Sequence, residues 1–236
     1  PAELRDTRDL LRRRCTIVRR RGATITHVQM INHQQNLPAF EKSISYKSNR
    51  VGIADRFEGD SLQRMVSLDV DLIDFYDKQI QQLDLYLEQH AKLDDPDTFF
   101  RLQSIPGVGR ILAMTMLCEI HTIKRFPTVG DFLSYSRLVK GTNSSAGKNY
   151  KPTGRKIGNP HLKWAFSEAI TLLKRECPQA KAFAERIEKK HNKARANTLL
   201  AIKLGRAVYW MWKRKAAFDP NVFAKDRQAD TPGAAT

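Results

Sequence analysis

Residues 104–113 read SIPGVGRILA and combine a tight turn with the start of an apolar run. Two glycines flank a valine directly after a proline, which is typical of a connection between helices. We expect Gly107 and Gly109 to allow positive φ angles and to leave their backbone amides uncovered. The pattern predicts one short helix that ends near Ser104 and a second helix over 110–120.

The second helix would begin at this turn with its positive end facing outwards. An exposed helix N-terminus binds phosphate through its backbone amides. Gly107, Gly109 and Arg110 are therefore candidate contacts of a helix-hairpin-helix motif, which binds the nucleic-acid backbone without reading bases. An ordinary glycine-containing turn is the alternative. Glycosylases share this hairpin but need a catalytic aspartate, and Asp131 is a candidate that no other feature supports.

The composition favours a polyanionic partner. The chain has 236 residues, a formal net charge of +16 and a sequence pI of about 10.0. Such a surplus favours nucleic acid over an anionic membrane surface. No apolar run is long enough to span a bilayer, and the charged N-terminus lacks a signal-peptide core. The three cysteines are widely spaced, which predicts reduced thiols in the cytoplasm rather than disulfides or a zinc site.

An arginine-rich helix is predicted over residues 3–36, where apolar residues recur at heptad spacing. Few acids lie among its arginines, so a phosphate backbone is the favoured neighbour and a solvated helix face is the alternative. The candidate nucleic-acid contacts in this helix are Arg12, Arg13, Arg19 and Arg20.

A second, acidic helix is predicted over residues 60–92. Apolar residues from Leu62 to Leu87 alternate in steps of three and four, and Asp69 interrupts this seam. The helix would either pair with the first helix as an antiparallel hairpin or join another subunit in a coiled coil.

These segments predict a mainly α protein. A long helical, coiled-coil region is followed by a compact helical domain with the helix-hairpin-helix motif. The expected boundaries are 1–98 for the helical region, 99–219 for the compact domain and 220–236 for a flexible tail.

Residues 137–166 contain a loop rich in Gly, Ser, Asn and Lys, followed by a helix that starts near Asn159. Taken by themselves, Ser144 and Ser145 are ordinary loop residues. The cations in and after this loop are further candidate phosphate contacts, namely Lys148, Lys151, Arg155 and Lys156.

Ordered sequence blocks over residues 99–175 resemble a known family. The blocks are LQSIPGVGRILAMTMLCEI, IKRFPTVGDFLSYSRLV, SSAGK and GNPHLKWAFSEA. They follow one another as in the C-terminal transposase domain of the DEDD–serine insertion-sequence recombinases. These enzymes are the bridge-RNA-guided recombinases, which are related to the Piv-type DNA invertases. The arginine-rich and acidic helices are similar to the family's linker and dimerisation region.

The resemblance implies a catalytic serine in the SSAGK loop. Setting the loop on the family pattern places this nucleophile at Ser145. Ser144 is the alternative, because Gly141-Thr142-Asn143 stands where a bulkier stretch is usual. The implied reaction is DNA strand exchange through a phosphoserine intermediate. The implied partners are DNA, a guide RNA and further copies of the chain in a dimer or tetramer, at the nucleoid of a prokaryotic cell and not at a membrane.

Members of this family begin with an RNase H-like domain whose acidic residues bind Mg²⁺. Nothing in this sequence resembles that domain, and the chain starts on proline. We therefore expect a fragment or truncated copy that is catalytically incomplete by itself and carries no cofactor or metal ligands of its own. The competing hypothesis is a non-enzymatic scaffold that binds nucleic acid through its hairpin motif and basic faces.

Overall fold

The structure is a computed structural model that describes residues 2–90, 95–139, 143–145, 148–150 and 157–225. Helices dominate it, so the predicted mainly α class is confirmed. The chain divides into two compact units, Pro1–Lys92 and Leu93–Thr236, which are described in turn.

The N-terminal unit is built on two long antiparallel helices, α1 (Ala2–Gln34) and α2 (Asp60–His90). Both were predicted within two residues of their observed ends. The connection between them contains 3₁₀ turns at Lys47–Asn49 and Ala54–Arg56. The acidic helix therefore pairs with the arginine-rich helix of its own chain, as the first of the two predicted arrangements has it, while contact with another subunit stays a prediction.

Apolar side chains from both helices and from the connection form the core of this unit. Burial of such side chains is the main favourable term in folding. The buried cluster comprises Ile25, Val28, Ile31, Ile44, Ile53, Phe57, Val66 and Ile73.

Ion pairs join the two helices along their length. Arg14 forms a two-pronged hydrogen bond with the Asp84 carboxylate, and Arg21 donates to Asp77. The expectation that the arginines have few acids near them is wrong, since α2 supplies these partners. Asp69, which interrupts the apolar seam, lies with its Oδ2 2.6 Å from His27 Nδ1.

A buried arginine connects this charge network to the loop between the helices. The Arg50 side chain is only 2% exposed, and its Nη2 lies 2.5 Å from Asp77 Oδ2 and 2.8 Å from Asp74 Oδ1. Its Nη1 donates to the carbonyl oxygens of Ile44 and Ser45 at 3.2 Å each. Arg50 therefore fixes the loop to α2.

The Asp77 carboxyl is the shared acceptor of this network. Partial burial alone would raise its pKa, but hydrogen bonds from Arg21 and Arg50 outweigh that effect and the pKa lies below its ordinary value. The pKa of Asp77 is lower in the folded chain than in the unfolded chain. Its carboxylate therefore stabilises the fold at pH values above the unfolded-state pKa. That contribution is lost as the pH falls through the folded-state pKa.

The C-terminal unit begins with α3 (Pro96–Gln103), α4 (Arg110–Ile120), a 3₁₀ turn (Ile123–Arg125) and α5 (Val129–Tyr135). A two-stranded antiparallel hairpin follows, with β1 (Asn143–Ser145) and β2 (Lys148–Tyr150). The chain ends in α6 (Pro160–Glu176), α7 (Pro178–Lys190), α8 (Lys193–Arg214) and α9 (Pro220–Ala224).

Helix α8 lies at the centre of this unit and packs against α3, α5, α6 and α7. Its Tyr209 is buried, and the hydroxyl lies 3.2 Å from the carbonyl oxygens of both Phe126 and Pro127. Gly205 allows a close approach, because a Cβ there would lie 2.6 Å from a Leu138 methyl group. The long C-terminal helix thus holds α5 in place ahead of the hairpin.

Two parts of this unit differ from the prediction. The stretch expected to be a loop contains β1 and β2, since antiparallel backbone pairing satisfies amides and carbonyls that a bare loop would leave to water. The predicted tail contains α9, whose N-cap Asp219 accepts hydrogen bonds from Asn221 N and Val222 N and whose Phe223 is buried. The tail beyond residue 225 lies outside the described residues.

Replacing Arg50 with methionine should lower the free energy of unfolding by about 2–4 kcal/mol, because the change removes donors from a partly buried carboxylate and two carbonyls. Urea unfolding followed by circular dichroism measures this loss. Arg20→Met is the matched control: Arg20 is exposed on α1, and this change should cost no more than about 0.5 kcal/mol. Equal losses in the two variants would contradict the role assigned to Arg50.

Candidate functional site

The turn between α3 and α4 uses its two glycines differently. Gly107 has a φ of +82°, as expected, and Val108 N donates to Ile105 O at 2.9 Å within the turn. Gly109 has a φ of −75° and a ψ of 177°, so the expectation of a positive φ there is wrong. One left-handed residue reverses the chain, and Gly109 then adopts the extended geometry of a helix N-cap.

Gly107 faces the interior of the unit. A Cβ on this residue would lie 2.3 Å from Leu172 Cβ and 2.9 Å from the Leu172 carbonyl carbon. These are atoms of α6 close to its axis, and they cannot swing away as the end of a long side chain could. The missing side chain of Gly107 is therefore what lets the turn rest directly on α6.

Gly109 and Arg110 lie on the surface at the start of α4. No atom comes within 4 Å of a Cβ built on Gly109, and no side chain caps this helix end. The Arg110 guanidinium lies 6.0 Å from the centre of the Phe99 ring. The three residues predicted as one phosphate site therefore have different surroundings. Gly107 packs against α6, while Gly109 and Arg110 are exposed at the N-terminus of α4.

The predicted catalytic serines lie on β1, the first strand of the hairpin. The strand register pairs Ser145 with Lys148 and Ser144 with Asn149. In an antiparallel ladder, directly opposed residues have their Cα atoms about 4.5–5.5 Å apart. Ser145 and Lys148 therefore occupy opposed positions at the closed end of the hairpin.

A group of hydrogen bonds closes the base of the segment that carries this hairpin. Arg137 Nε lies 3.0 Å from the carbonyl oxygens of both Ile157 and Gly158, and Asn159 N donates to Tyr135 O at 2.6 Å. We call these five residues the clasp. The clasp brings the end of α5 and the start of α6 together, so the two connections to the hairpin start from a fixed point.

Gly158 makes the clasp possible. Its φ is +94°, and a Cβ at this position would lie 2.6 Å from Tyr135 O. Both the backbone conformation and the close carbonyl exclude any larger residue without a shift of the clasp.

A buried carboxylate holds the clasp against α4. Asn159 Oδ1 caps α6 by accepting from His161 N and Leu162 N, and Asn159 Nδ2 donates to Glu119 Oε2 at 2.7 Å. Glu119 and Asn159 are 4% and 5% exposed. Sequence reasoning did not select either residue, although a single acid within the apolar run of α4 is itself a signal of a paired carboxylate.

The other predicted nucleic-acid contacts lie either on α1 or in the segment that contains the hairpin. On α1, Arg13, Arg19 and Arg20 are exposed, while Arg12 is half-buried and its Nη1 lies 3.8 Å from Asp9 Oδ1. Only the backbone of Lys148 is described here. Three of the loop cations lie outside the described residues, namely Lys151, Arg155 and Lys156.

The part of the chain that the structure describes brings together no group of three His, Cys, Asp or Glu side chains that could hold a metal ion. None of its helices combines the length and apolarity needed to cross a membrane.

Comparison with known proteins gives a match, and it covers the region that contains the turn, the hairpin and the clasp. Residues 100–185 match the family model described as Transposase IS116/IS110/IS902 family. This match supports an IS110-type transposase domain running from α3 into α7, and the family belongs to the DNA-recombining enzymes. No curated protein matches the chain.

Gly107→Ala should lower the free energy of unfolding by about 2–5 kcal/mol, because it adds both a strained φ and a clash with α6. Gly109→Ala is the matched control, and it should cost less than about 1 kcal/mol because its φ is ordinary and the space is open. Thermal and urea unfolding of both variants measures the difference. A tolerated Gly107→Ala would show that the turn does not depend on the contact with Leu172.

Proposed function

We propose that this chain is the nucleic-acid-binding and strand-exchanging region of an insertion-sequence transposase, with Ser145 as the nucleophile. The observation that supports the proposal is that the serine hairpin falls within the matched residues 100–185, between the two chain segments that the clasp joins. A nucleophile works best when the protein holds it in a fixed geometry. The buried bond between Asn159 and Glu119 fixes the point at which the chain returns from the hairpin to α6.

The proposed reaction exchanges one phosphate ester for another. The Ser145 hydroxyl oxygen bonds to a DNA phosphorus while the bond from that phosphorus to a deoxyribose oxygen breaks. The hydroxyl proton is released, and the departing deoxyribose oxygen takes up a proton. Attack by an incoming deoxyribose hydroxyl on the phosphoserine reverses these changes and reseals the strand. Lys148 opposes Ser145 in the hairpin register, which suits it to neutralise charge on the phosphoryl oxygens.

Basic residues outside the hairpin would bind the phosphate backbone. Gly109 and Arg110 offer exposed backbone amides and a cation at the start of α4, and Arg13, Arg19 and Arg20 are exposed on α1. The bound polymer is DNA, and a guide RNA is the second polyanion that we assign to these surfaces. Affinity that rests on phosphate contacts should fall steeply as the salt concentration rises.

Ser145→Ala in the full-length protein should abolish strand exchange and leave DNA binding nearly unchanged, because a nucleophile lies on the chemical path and one hydroxyl adds little to binding by many charges. Ser144→Ala should lower the rate only in part, because it disturbs the segment beside the nucleophile without removing the nucleophile. Recombination of a donor and target plasmid pair, beside a DNA–protein adduct assay in denaturing gels, measures both variants.

The outcomes of this experiment separate the hypotheses. Loss of activity in Ser144→Ala alone would move the nucleophile by one residue. Activity in both variants, with no covalent adduct, would remove the serine mechanism and favour the non-enzymatic scaffold. A chain that binds no DNA at low salt would contradict both hypotheses.

We further propose that α2 joins a second copy of the chain. Its outward face carries exposed apolar side chains at steps of three and four residues, namely Met65, Leu68, Leu72 and Phe75, and Tyr86 continues the stripe. Heptad spacing of this kind is typical of a coiled-coil seam, and exposed apolar patches mark interaction sites. The α1-facing side of the same helix is already covered within the chain.

The double change Leu72→Glu and Phe75→Glu should convert a dimer to a monomer in sedimentation equilibrium, because it places charges within the apolar seam. Val51→Glu is the matched control: Val51 is exposed in the connection between α1 and α2, and this change should leave the mass unaltered. A wild-type chain that sediments as a monomer at high concentration would contradict the proposed interface.

A further inference from the structure

A cleft of about 640 Å³ opens between α7, α8 and α9, within the C-terminal unit. It lies on different elements from the serine hairpin, and the proposed strand exchange does not use it. The size is within the range of small-ligand sites, which are about 300–1,000 Å³. The question is what class of ligand its lining would accept.

The lining combines aromatic rings with positive charge. Phe183 comes from α7, Trp210 from α8 and Phe223 from α9. Lys203 Nζ lies 4.4 Å from the centre of the Phe183 ring and 5.3 Å from that of Phe223. The Arg214 guanidinium lies 4.8 Å from the centre of the Trp210 ring. Flat apolar surfaces and cations are thus interleaved along the cleft.

The charge at the rim favours an anionic ligand. Arg206 and Lys225 are exposed lining residues, in addition to Lys203 and Arg214. One carboxylate, that of Asp219, also lines the cleft. Its Oδ1 lies 2.8 Å from Asn221 N and 3.4 Å from Val222 N, so it is occupied in capping α9. The lining therefore has a strong positive surplus.

We propose that this cleft binds an unstacked nucleotide of a nucleic-acid strand. Bases that leave a helix stack on aromatic rings or on arginine planes, and the flanking phosphates pair with cations. Trp210 with Arg214 would receive the base, and Arg206 would contact a neighbouring phosphate. RNA and DNA share this chemistry. The inference rests on the proposed nucleic-acid function and adds a site at which a single base is held.

The test compares strands that differ only in their bases. The probes are ten-residue oligothymidylate and oligouridylate, each with and without abasic sugars at the central positions. The backbone charge is the same in all of them, so non-specific phosphate binding is matched. The wild-type chain should bind the intact strands about 5- to 100-fold more tightly than the abasic ones, which is the effect expected of one or two stacked bases.

The variant Trp210→Ala should remove most of this difference while retaining salt-sensitive binding. Trp164→Ala is the matched control: Trp164 is a half-buried helical tryptophan that does not line the cleft, and this change should preserve the difference. Since a tryptophan variant can fail to fold, a second measurement uses the wild-type chain alone. Oligouridylate carrying 5-iodouridine is photocrosslinked, and we expect the crosslinked peptide to contain Trp210 or Phe183.

Each result decides between the hypotheses. Equal binding of intact and abasic strands, or crosslinks confined to other helices, would overturn the base-binding cleft while leaving the proposed nucleic-acid function intact. Absence of any salt-sensitive binding would overturn the proposed function itself. The preference of the wild-type chain for oligouridylate or oligothymidylate then assigns the strand as RNA or DNA.

Discussion

The hydrogen bond between Asn159 and Glu119 is the constraint on which the candidate site depends. It joins α4 to the start of α6, and through Asn159 N and Tyr135 O it also fixes the end of α5. A buried carboxylate is costly unless its oxygens are bound, so this arrangement resists partial opening. The points at which the chain leaves the helices for the serine hairpin and returns from it are thereby tied to α4, α5 and α6.

The arginines of α1 form two sets that their residue type alone does not distinguish. Arg14 and Arg21 pair with acids of α2, while Arg13, Arg19 and Arg20 remain exposed. The paired arginines are seven residues apart, as are Asp77 and Asp84, so both sets recur on one face of each helix. The exposed face of α1 is therefore positively charged, while acids of α2 neutralise the arginines on the face that packs against α2.

Local sequence patterns predicted the helices but not the contacts between residues that are far apart in the chain. The glycine–proline turn, the heptads and Pro160 at the start of α6 predicted element type and position because these signals act within a few residues. The local pattern predicted the positive φ of Gly107, but the second reason for glycine there is Leu172, which lies far along the chain in no local pattern. The same holds for the Glu119–Asn159 bond, whose partners come from separate sequence blocks. The strands of the hairpin were missed because three-residue strands carry almost no periodicity.

The clasp also makes the hairpin segment a separable module. The chain leaves the helical body at Arg137 and returns at Ile157, and Arg137 bonds to the returning backbone. The cost of closing a loop grows only with the logarithm of its length once the ends are held. Insertions, deletions or whole exchanges between these two points would therefore leave the packing of α4, α5 and α6 almost untouched. Evolution could diversify the hairpin segment without first redesigning the helices to which it is joined.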